Sequence, residues 1–290
     1  MSDIVLSILF TGTAYAMVLY IISVGLSITM GLLGIANLAH GAFAMAGGYL
    51  LITLLHRSAI PFGPAVILSA ALVAAVSVVL ERLLYARVYK SGEFDQVLLS
   101  MGLIFVSSAV AQYLYGPIPQ TVAIPAALSG QIDLGLRTFP MYRIVLIVTG
   151  VAIFVALLVV IERTNTGMRI RATVDNRAMA EAVGIDTRTL FSVVFAVGSA
   201  LAAVGGGLGG DMIAISPGYP LENLAYFLIV VSIGGLGTVT GPFVAALLLG
   251  IGDSACKILA PEFGAFFIYL ALFGFLLWRP GGLLNRVEVY

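Results

Sequence analysis

The sequence predicts an all-α membrane protein: a polytopic transmembrane helical bundle of about eight or nine spans, some of them interrupted. Three observations carry that prediction. Charged residues make up 10% of the chain and hydrophobic residues 61%, whereas a soluble domain carries about 25% charged residues. Mean hydropathy is +1.11. Apolar stretches of bilayer-spanning length, roughly 17–25 residues, recur from one end of the 290 residues to the other.

The stretches lie near 8–31, 37–55, 62–84, 95–115, 142–161, 190–212, 222–237, 241–258 and 263–279. The pair 222–237 and 241–258 is short and glycine-interrupted, so it reads as two spans or as partly re-entrant. Residues 1–290 read as a single transmembrane domain. The first base is Arg57, and a secretory signal peptide has a basic n-region. The first apolar stretch is therefore expected to be a retained span. Ten of the 14 bases fall on one side: Arg82, Arg87, Lys90, Arg163, Arg169, Arg171, Arg177, Arg188, Arg279 and Arg286. Positive charge marks the cytoplasmic side, and with nine spans the N-terminus lies outside. "VVLER" at 78–82 recurs as "VVIER" at 159–163, either an internal repeat or two apolar runs that end in charge.

Two hydrophilic segments separate the spans. The outer one, about 116–141, has four prolines and the partly alternating Ile132, Leu134, Leu136 and Phe139, the pattern of a small hairpin. The inner one, about 162–190, is the longest and most charged. Within it, 172–183 suits a short helix with Thr173 as its cap. Gly184 fits the left-handed position that ends a helix, with Ile185 folding back on the last turn. Ala178, Ala182 and Val183 give the helix an apolar face, and Arg177 and Glu181 are spaced to pair. Such a helix either docks on something or is a solvated loop that fixes topology.

Two glycine clusters interrupt predicted spans, one in each half of the chain. The first is "GLLGIANLAHGAFAMAGG", 31–48; the second is "GGLGTVTG", 234–241, with Pro242 opening the next helix. Broken helices at membrane depth are tolerated where the backbone is protein-buried or lines a cavity, and a pair of them points to a transport site. Close helix packing by small residues is the other reading; Gly198, Ala202, Gly206 and Gly210, four apart, are a plain case of it. The residues expected to line a pathway are Asn37, His40 and Gly41 at the first break, and Gly235, Gly237, Thr238 and Thr240 at the second. Asn37 would cap a helix that aims its partial positive end at a carboxylate. His40 is expected to make a structural bond across the break rather than touch substrate directly. Asp253 and Lys257, four apart near the outer surface, neutralise each other or contribute to an outer gate.

The chain carries no GxxxxGK[ST] phosphate loop, no HExxH and no GxSxG, so it is not expected to be an enzyme. Cys256 is alone and there are two histidines, which gives no metal spacing and no intrachain disulfide. Acids and bases balance at 14 each, which suggests no nucleic-acid partner. Nearly every acid is expected at a helix end or in a loop, with only Asp253 as a buried candidate. An ion-driven pump needs ionisable groups deep in the bundle, so a separate ATPase is the expected energy source. An ion-coupled secondary carrier of small polar solutes, using backbone carbonyls, stays open as the alternative.

"ANLAHGAFAMAGGYL", "ERTNTGMRIRATVDNRAMAEAVGID", "GGLGTVTGPFVAALLLG" and "WRPGGL" occur in that order across nearly the whole chain. Together they resemble the branched-chain amino acid ABC transporter permease family of the LivH type. The resemblance implies a multi-pass subunit of a bacterial inner-membrane importer. Its implied partners are two ATP-binding cassette subunits, which bind the ATP, a second homologous permease and a periplasmic substrate-binding protein. No cofactor is implied in this chain, and membrane lipid surrounds it. Branched-chain or other amino acids are the implied substrates; family relatives are also associated with urea, short amides and aromatic acids. The loop that seats on the ATPase maps onto Arg171, Asp175, Arg177, Glu181, Ala182, Gly184 and Asp186. Val183 replaces the second alanine of the strict glutamate-alanine-alanine signature.

Overall fold

A computed structural model describes residues 2–34, 37–58, 60–89, 91–133, 138–264 and 266–278. The chain order is α1 (Ser2–Leu33), α2 (His40–Arg57), α3 (Phe62–Leu80), a π-helical turn (Glu81–Tyr85), α4 (Ala86–Val88) and α5 (Glu93–Tyr115). A hairpin of β1 (Gln131–Asp133) and β2 (Thr138–Pro140) follows, then α6 (Met141–Arg163), α7 (Asn165–Asp175), α8 (Arg177–Ala182) and α9 (Thr187–Gly209). The chain continues through α10 (Tyr219–Glu222), α11 (Leu224–Gly234), α12 (Thr240–Leu259) and α13 (Phe267–Trp278).

The all-α prediction holds, with six helices among the described residues long and apolar enough to cross a membrane. They are Ile4–Gly31, Phe62–Val88, Glu93–Tyr115, Met141–Arg163, Thr187–Gly209 and Thr240–Leu259. The other three expected spans are shorter. At 1.5 Å per residue, the 18 residues of α2 rise about 27 Å, against a hydrocarbon core of about 30 Å. Helices α10 and α11 together form the shorter apolar piece Tyr219–Gly234, and α13 has 12 described residues. Of the ten bases used to orient the bundle, Lys90, Arg279 and Arg286 lie outside the described residues, as does most of "WRPGGL". The positive charge on α7 and α8 marks their end of the bundle as the inner one.

α1 is the axis of the bundle. From Ala16 to Ile22 every residue is at most 1% exposed, as expected of a helix that is hydrophobic all round. Small residues bring its neighbours close. A Cβ on Gly12 would meet Ile251 Cα at 2.6 Å, one on Gly250 would meet Ala16 Cα at 2.7 Å, and one on Gly25 would meet Gly198 O at 2.5 Å. The predicted small-residue stripe on α9 is a packing surface, Gly198 on α1, Gly206 on Ala44 of α2 and Gly210 on Val122. By contrast, α6 buries only Tyr142, Leu146 and Gly150, and α3 and α5 turn Ile67, Val76, Phe105 and Val110 outward. Those surfaces are apolar on the outside, where a soluble protein would be polar.

The predicted hairpin forms, with Ile132 opposite Phe139; its tip, including Leu134 and Leu136, lies outside the described residues. Phe139 packs on Phe10 at 4.3 Å. The outer segment is tied down by two 2.8 Å backbone bonds between Gln120 and Ile215. The "VVLER" echo has no structural counterpart: Glu81 sits buried inside a continuous helical run, whereas Glu162 is exposed at a helix end.

Candidate translocation path and coupling surface

The first break follows α1. Gly34 has φ +65°, residues 35–36 lie outside the described residues, and α2 starts at His40. The expected capping role of Asn37 is corrected. The N-cap is Ala39, with no side-chain bond, and Asn37 Oδ1 instead accepts from the Tyr85 hydroxyl at 2.7 Å. A buried phenol needs an acceptor, and the amide oxygen supplies it. His40 makes the structural bond expected of it: its Nε2 donates to the Ile22 carbonyl at 3.0 Å. A carbonyl only accepts, so Nε2 carries a hydrogen. The partner lies eleven residues before the end of α1, so α2 begins about 16 Å back from the inner end of α1, part-way through the bundle. His40 Nδ1 and Asn37 Nδ2 are buried without a hydrogen-bond partner among the described residues. Gly41 faces α10, where a Cβ would meet Pro220 Cα at 3.0 Å.

The second break is clamped to α1. Gly235 (φ +96°) and Gly237 (φ +74°) take conformations that suit glycine. Ser27 Oγ donates to Gly235 O at 3.2 Å and to Thr238 O at 3.0 Å, while the Gly237 amide donates to Ser27 O at 2.9 Å. Thr238 Oγ1 also donates to Gly235 O, at 3.0 Å. Thr240 opens α12, and Pro242 lies in its first turn as expected. Gly31 of the first cluster packs directly on Gly237 of the second. The two clusters, 200 residues apart, thus meet along one seam.

The inner loop is two helices, not the single one expected over 172–183. Asn176 is extended (φ −154°, ψ 100°) and accepts the Met179 amide at 3.0 Å, so it breaks the helix and caps α8. Thr164 caps α7, and Thr173, expected as the cap, instead lies inside α7 and donates to Arg169 O. The end of α8 is as predicted. Gly184 has φ +86°, its amide donates to Glu181 O, and the Ile185 amide donates to Ala180 O, each at 3.0 Å. Arg177 pairs with Glu181 at 3.0 Å, and Glu181 also accepts from the Thr187 hydroxyl. Arg171 donates to Ile161 O. Asp186 caps α9 by accepting from the hydroxyl and amide of Thr189, which holds its carboxyl below the usual carboxylate range. Met179, Ala182 and Val183 are exposed, leaving an apolar strip on α8.

This loop is linked to both breaks, through a shared cavity on one side and a relay of side chains on the other. Arg171 and Asp175 line a cavity of about 130 Å³ with Ile28 and Gly237. On the other side, the Arg177 guanidinium lies 4.6 Å over the Phe191 ring. Phe191 meets Tyr89 edge-on at 5.7 Å, and Tyr89 donates to Glu81 Oε1 at 2.5 Å. Four residues on from Glu81, in the same π-helical turn, Tyr85 reaches Asn37. Glu81 corrects the expectation that only Asp253 among the acids is buried. It is 2% exposed, and its Oε2 accepts from Ser192 at 2.6 Å. The signal was there: Glu81, Tyr85 and Tyr89, four apart, form one polar stripe on an apolar helix. Ser27 had no such signal. At the outer end, Lys257 and Asp253 pair at 2.6 Å, with Asp253 3% exposed.

The chain matches known proteins along nearly its whole length. It is 29% identical to the high-affinity branched-chain amino acid transport system permease protein BraD of Pseudomonas aeruginosa, over 96% of this chain and 94% of that protein. It is 27% identical to the corresponding permease protein LivH of Escherichia coli K12, over 97% and 96%. It is 24% identical to a probable LivH of Methanocaldococcus jannaschii, over 88% and 82%. No solved structure matches it. The family profile described as "Branched-chain amino acid transport system / permease component" spans residues 8–276, from the second turn of α1 to the last turn of α13. With both glycine breaks and the loop that joins them inside that span, the chain belongs to the branched-chain amino acid transport permease family.

Proposed function

We propose that this chain is a membrane-spanning subunit of a binding-protein-dependent importer in a bacterial inner membrane. It carries branched-chain or other amino acids by alternating access, and separate ATPase subunits drive it. The whole chain acts as one permease domain. Two ATP-binding cassette subunits, a second homologous permease and a periplasmic binding protein complete the machine. ATP is bound by the cassettes.

One observation carries the mechanism: a single inner loop shares a cavity with Gly237 of the second break and reaches the first through a chain of side-chain contacts. The exposed strip of Met179, Ala182 and Val183 is the seat for an ATPase subunit. When the ATPases close, they push on α7 and α8 together. α7 bears on Gly237 at the second break. α8 acts through Arg177, Phe191, Tyr89 and the Glu81 turn on Asn37 at the first. Both breaks then shift against α1, and the path changes side. The groups offered to a passing solute at the first break are the unpartnered His40 Nδ1 and Asn37 Nδ2. At the second break they are the hydroxyls of Thr238 and Thr240.

The test is uptake of labelled leucine into proteoliposomes that hold the assembled complex. Uptake is expected to need ATP with the cassettes on one side and the loaded binding protein on the other, and to ignore sodium and proton gradients. Uptake by this chain alone under an ion gradient would overturn the proposal in favour of a secondary carrier.

A further inference from the structure

A second polar feature lies at the outer end, away from the breaks. A cavity of about 490 Å³ opens between α1, α10, α12 and the segment 212–216, within the roughly 300–1,000 Å³ of small-molecule sites. It is lined by one carboxylate and one ammonium, Glu222 and Lys257. Each is set in place by its neighbours. Lys257 Nζ is held 2.6 Å from the buried Asp253 Oδ2 and 5.5 Å over the Tyr15 ring. An ammonium has three N–H donors, so the pair with Asp253 leaves others to face the cavity. Glu222 Oε2 accepts from the Ser216 hydroxyl at 3.2 Å. Its Oε1 occupies the space where a side chain at Gly218 would begin, so the glycine makes room for the carboxylate. Met212, Ile213 and Ala214 add an apolar wall.

We propose that this cavity is the outer receiving site of the permease, and that it takes a zwitterionic α-amino acid with an aliphatic side chain. The substrate carboxylate meets Lys257, its ammonium meets Glu222, and its side chain lies on Met212 and Ile213. This rests on the importer reading above and names the substrate class for it. Urea and short amides have neither charge, and an aromatic acid has no ammonium for Glu222, so the cavity selects against all three. Because Lys257 is already neutralised by Asp253, Glu222 leaves the site net negative, which disfavours anions further. The site leads onward, since α10 carries Glu222 at one end and packs Pro220 on Gly41 of α2 beside the first break.

The experiment uses the complete complex of permeases and cassettes. Binding of labelled leucine is measured in detergent without the binding protein, alongside ATP-driven uptake in proteoliposomes with it. Wild type is expected to hold leucine, and valine but not isovalerate or urea should displace it. Glu222→Gln is expected to weaken leucine binding at least ten-fold and slow uptake, while the loaded binding protein still stimulates ATP hydrolysis. Lys257→Met strands the buried Asp253, so the pair Asp253→Asn with Lys257→Met removes the ammonium without that defect; it is expected to match Glu222→Gln. Wild-type leucine binding in both variants, with ATP-driven uptake intact, would overturn the site and leave the importer standing. Retained leucine binding with loss of stimulation by the binding protein would overturn it too, by making the cavity a docking surface. A wild-type complex that holds no leucine also sinks it. No ATP-driven leucine uptake by wild type would sink the importer reading and this site together.

Discussion

Gly31 and Gly237 face each other across the seam between α1 and the second break, and alanine at either position probes that seam. A Cβ on Gly31 would overlap the backbone N and Cα of Gly237, whereas non-bonded carbons settle at about 3.5–4.0 Å. The break is already held by its bonds to Ser27, so it must shift as a unit. Overpacking of this kind costs about 1–3 kcal/mol. Gly237→Ala costs something different. Its Cβ would find Gly31 Cα at 3.4 Å, an ordinary contact, so the penalty is the φ of +74°, roughly 1–2 kcal/mol for a residue with a Cβ. Gly34 calibrates that figure, with φ +65° and nothing within 4 Å of its Cβ. Thermal unfolding of the purified protein should therefore show similar losses for Gly34→Ala and Gly237→Ala. Gly31→Ala should lose at least as much. The Gly31→Ala/Gly237→Ala double variant should depart from additivity, because two methyl groups contest one gap. If the seam moves during transport, the same energy falls on the balance of access states, about 5- to 150-fold, and uptake drops. Gly31→Ala with wild-type melting and wild-type uptake would refute the seam.

Three further changes follow from the loop and its contacts. Glu81→Leu leaves the hydroxyls of Tyr89 and Ser192 without their acceptor, at about 1–3 kcal/mol each. It should lower both folded yield and ATP-driven uptake, whereas Glu81→Gln, which can bond to both, should keep most of each. Asn176→Ala removes the cap of α8 at about 1 kcal/mol, so docking of the ATPase, read by titration into solubilised permease, should weaken about five-fold. Asp186 has its carboxyl pKa lowered by the Thr189 hydroxyl and amide. Its contribution is therefore complete above the ordinary carboxylate range and fades as the pH falls through and below it. Hydrogen-exchange protection of residues 187–190, corrected for intrinsic rates, should fall between pH 6 and pH 3 and hold between pH 6 and pH 8.

Features that depend on local chemistry were legible in the sequence. Gly184 ends α8 because no side chain favours a φ of +86°, and Arg177 meets Glu181 because helix geometry places residues four apart on one face. The two glycine clusters stood out because glycine weakens a span by roughly 1 kcal/mol each. The hairpin at 131–140 followed from alternation. Features that depend on distant partners were not legible. Asn37 looked like a cap because its nearest visible use was local; its actual partner, Tyr85, is 48 positions away. Ser27 reads as one more small residue in a span until the second break folds back on it, 208 positions later. Glu81 is an intermediate case: its stripe with Tyr85 and Tyr89 is visible in the sequence, but its partner Ser192 lies 111 positions on. Asn176 misled for the opposite reason. It sits within a helix-compatible run, and its own side chain competes with the helix by capping the next one.

The central claim is that the 171–186 loop joins an ATPase to both breaks. The most direct test is to isolate the tagged chain from its native membrane and identify every co-purifying protein, beside a variant with 171–186 replaced by a Gly-Ser linker. ATP-binding cassette subunits are expected with the wild-type chain and none with the linker variant, both chains being folded. A folded wild-type chain that brings down no ATPase would contradict it.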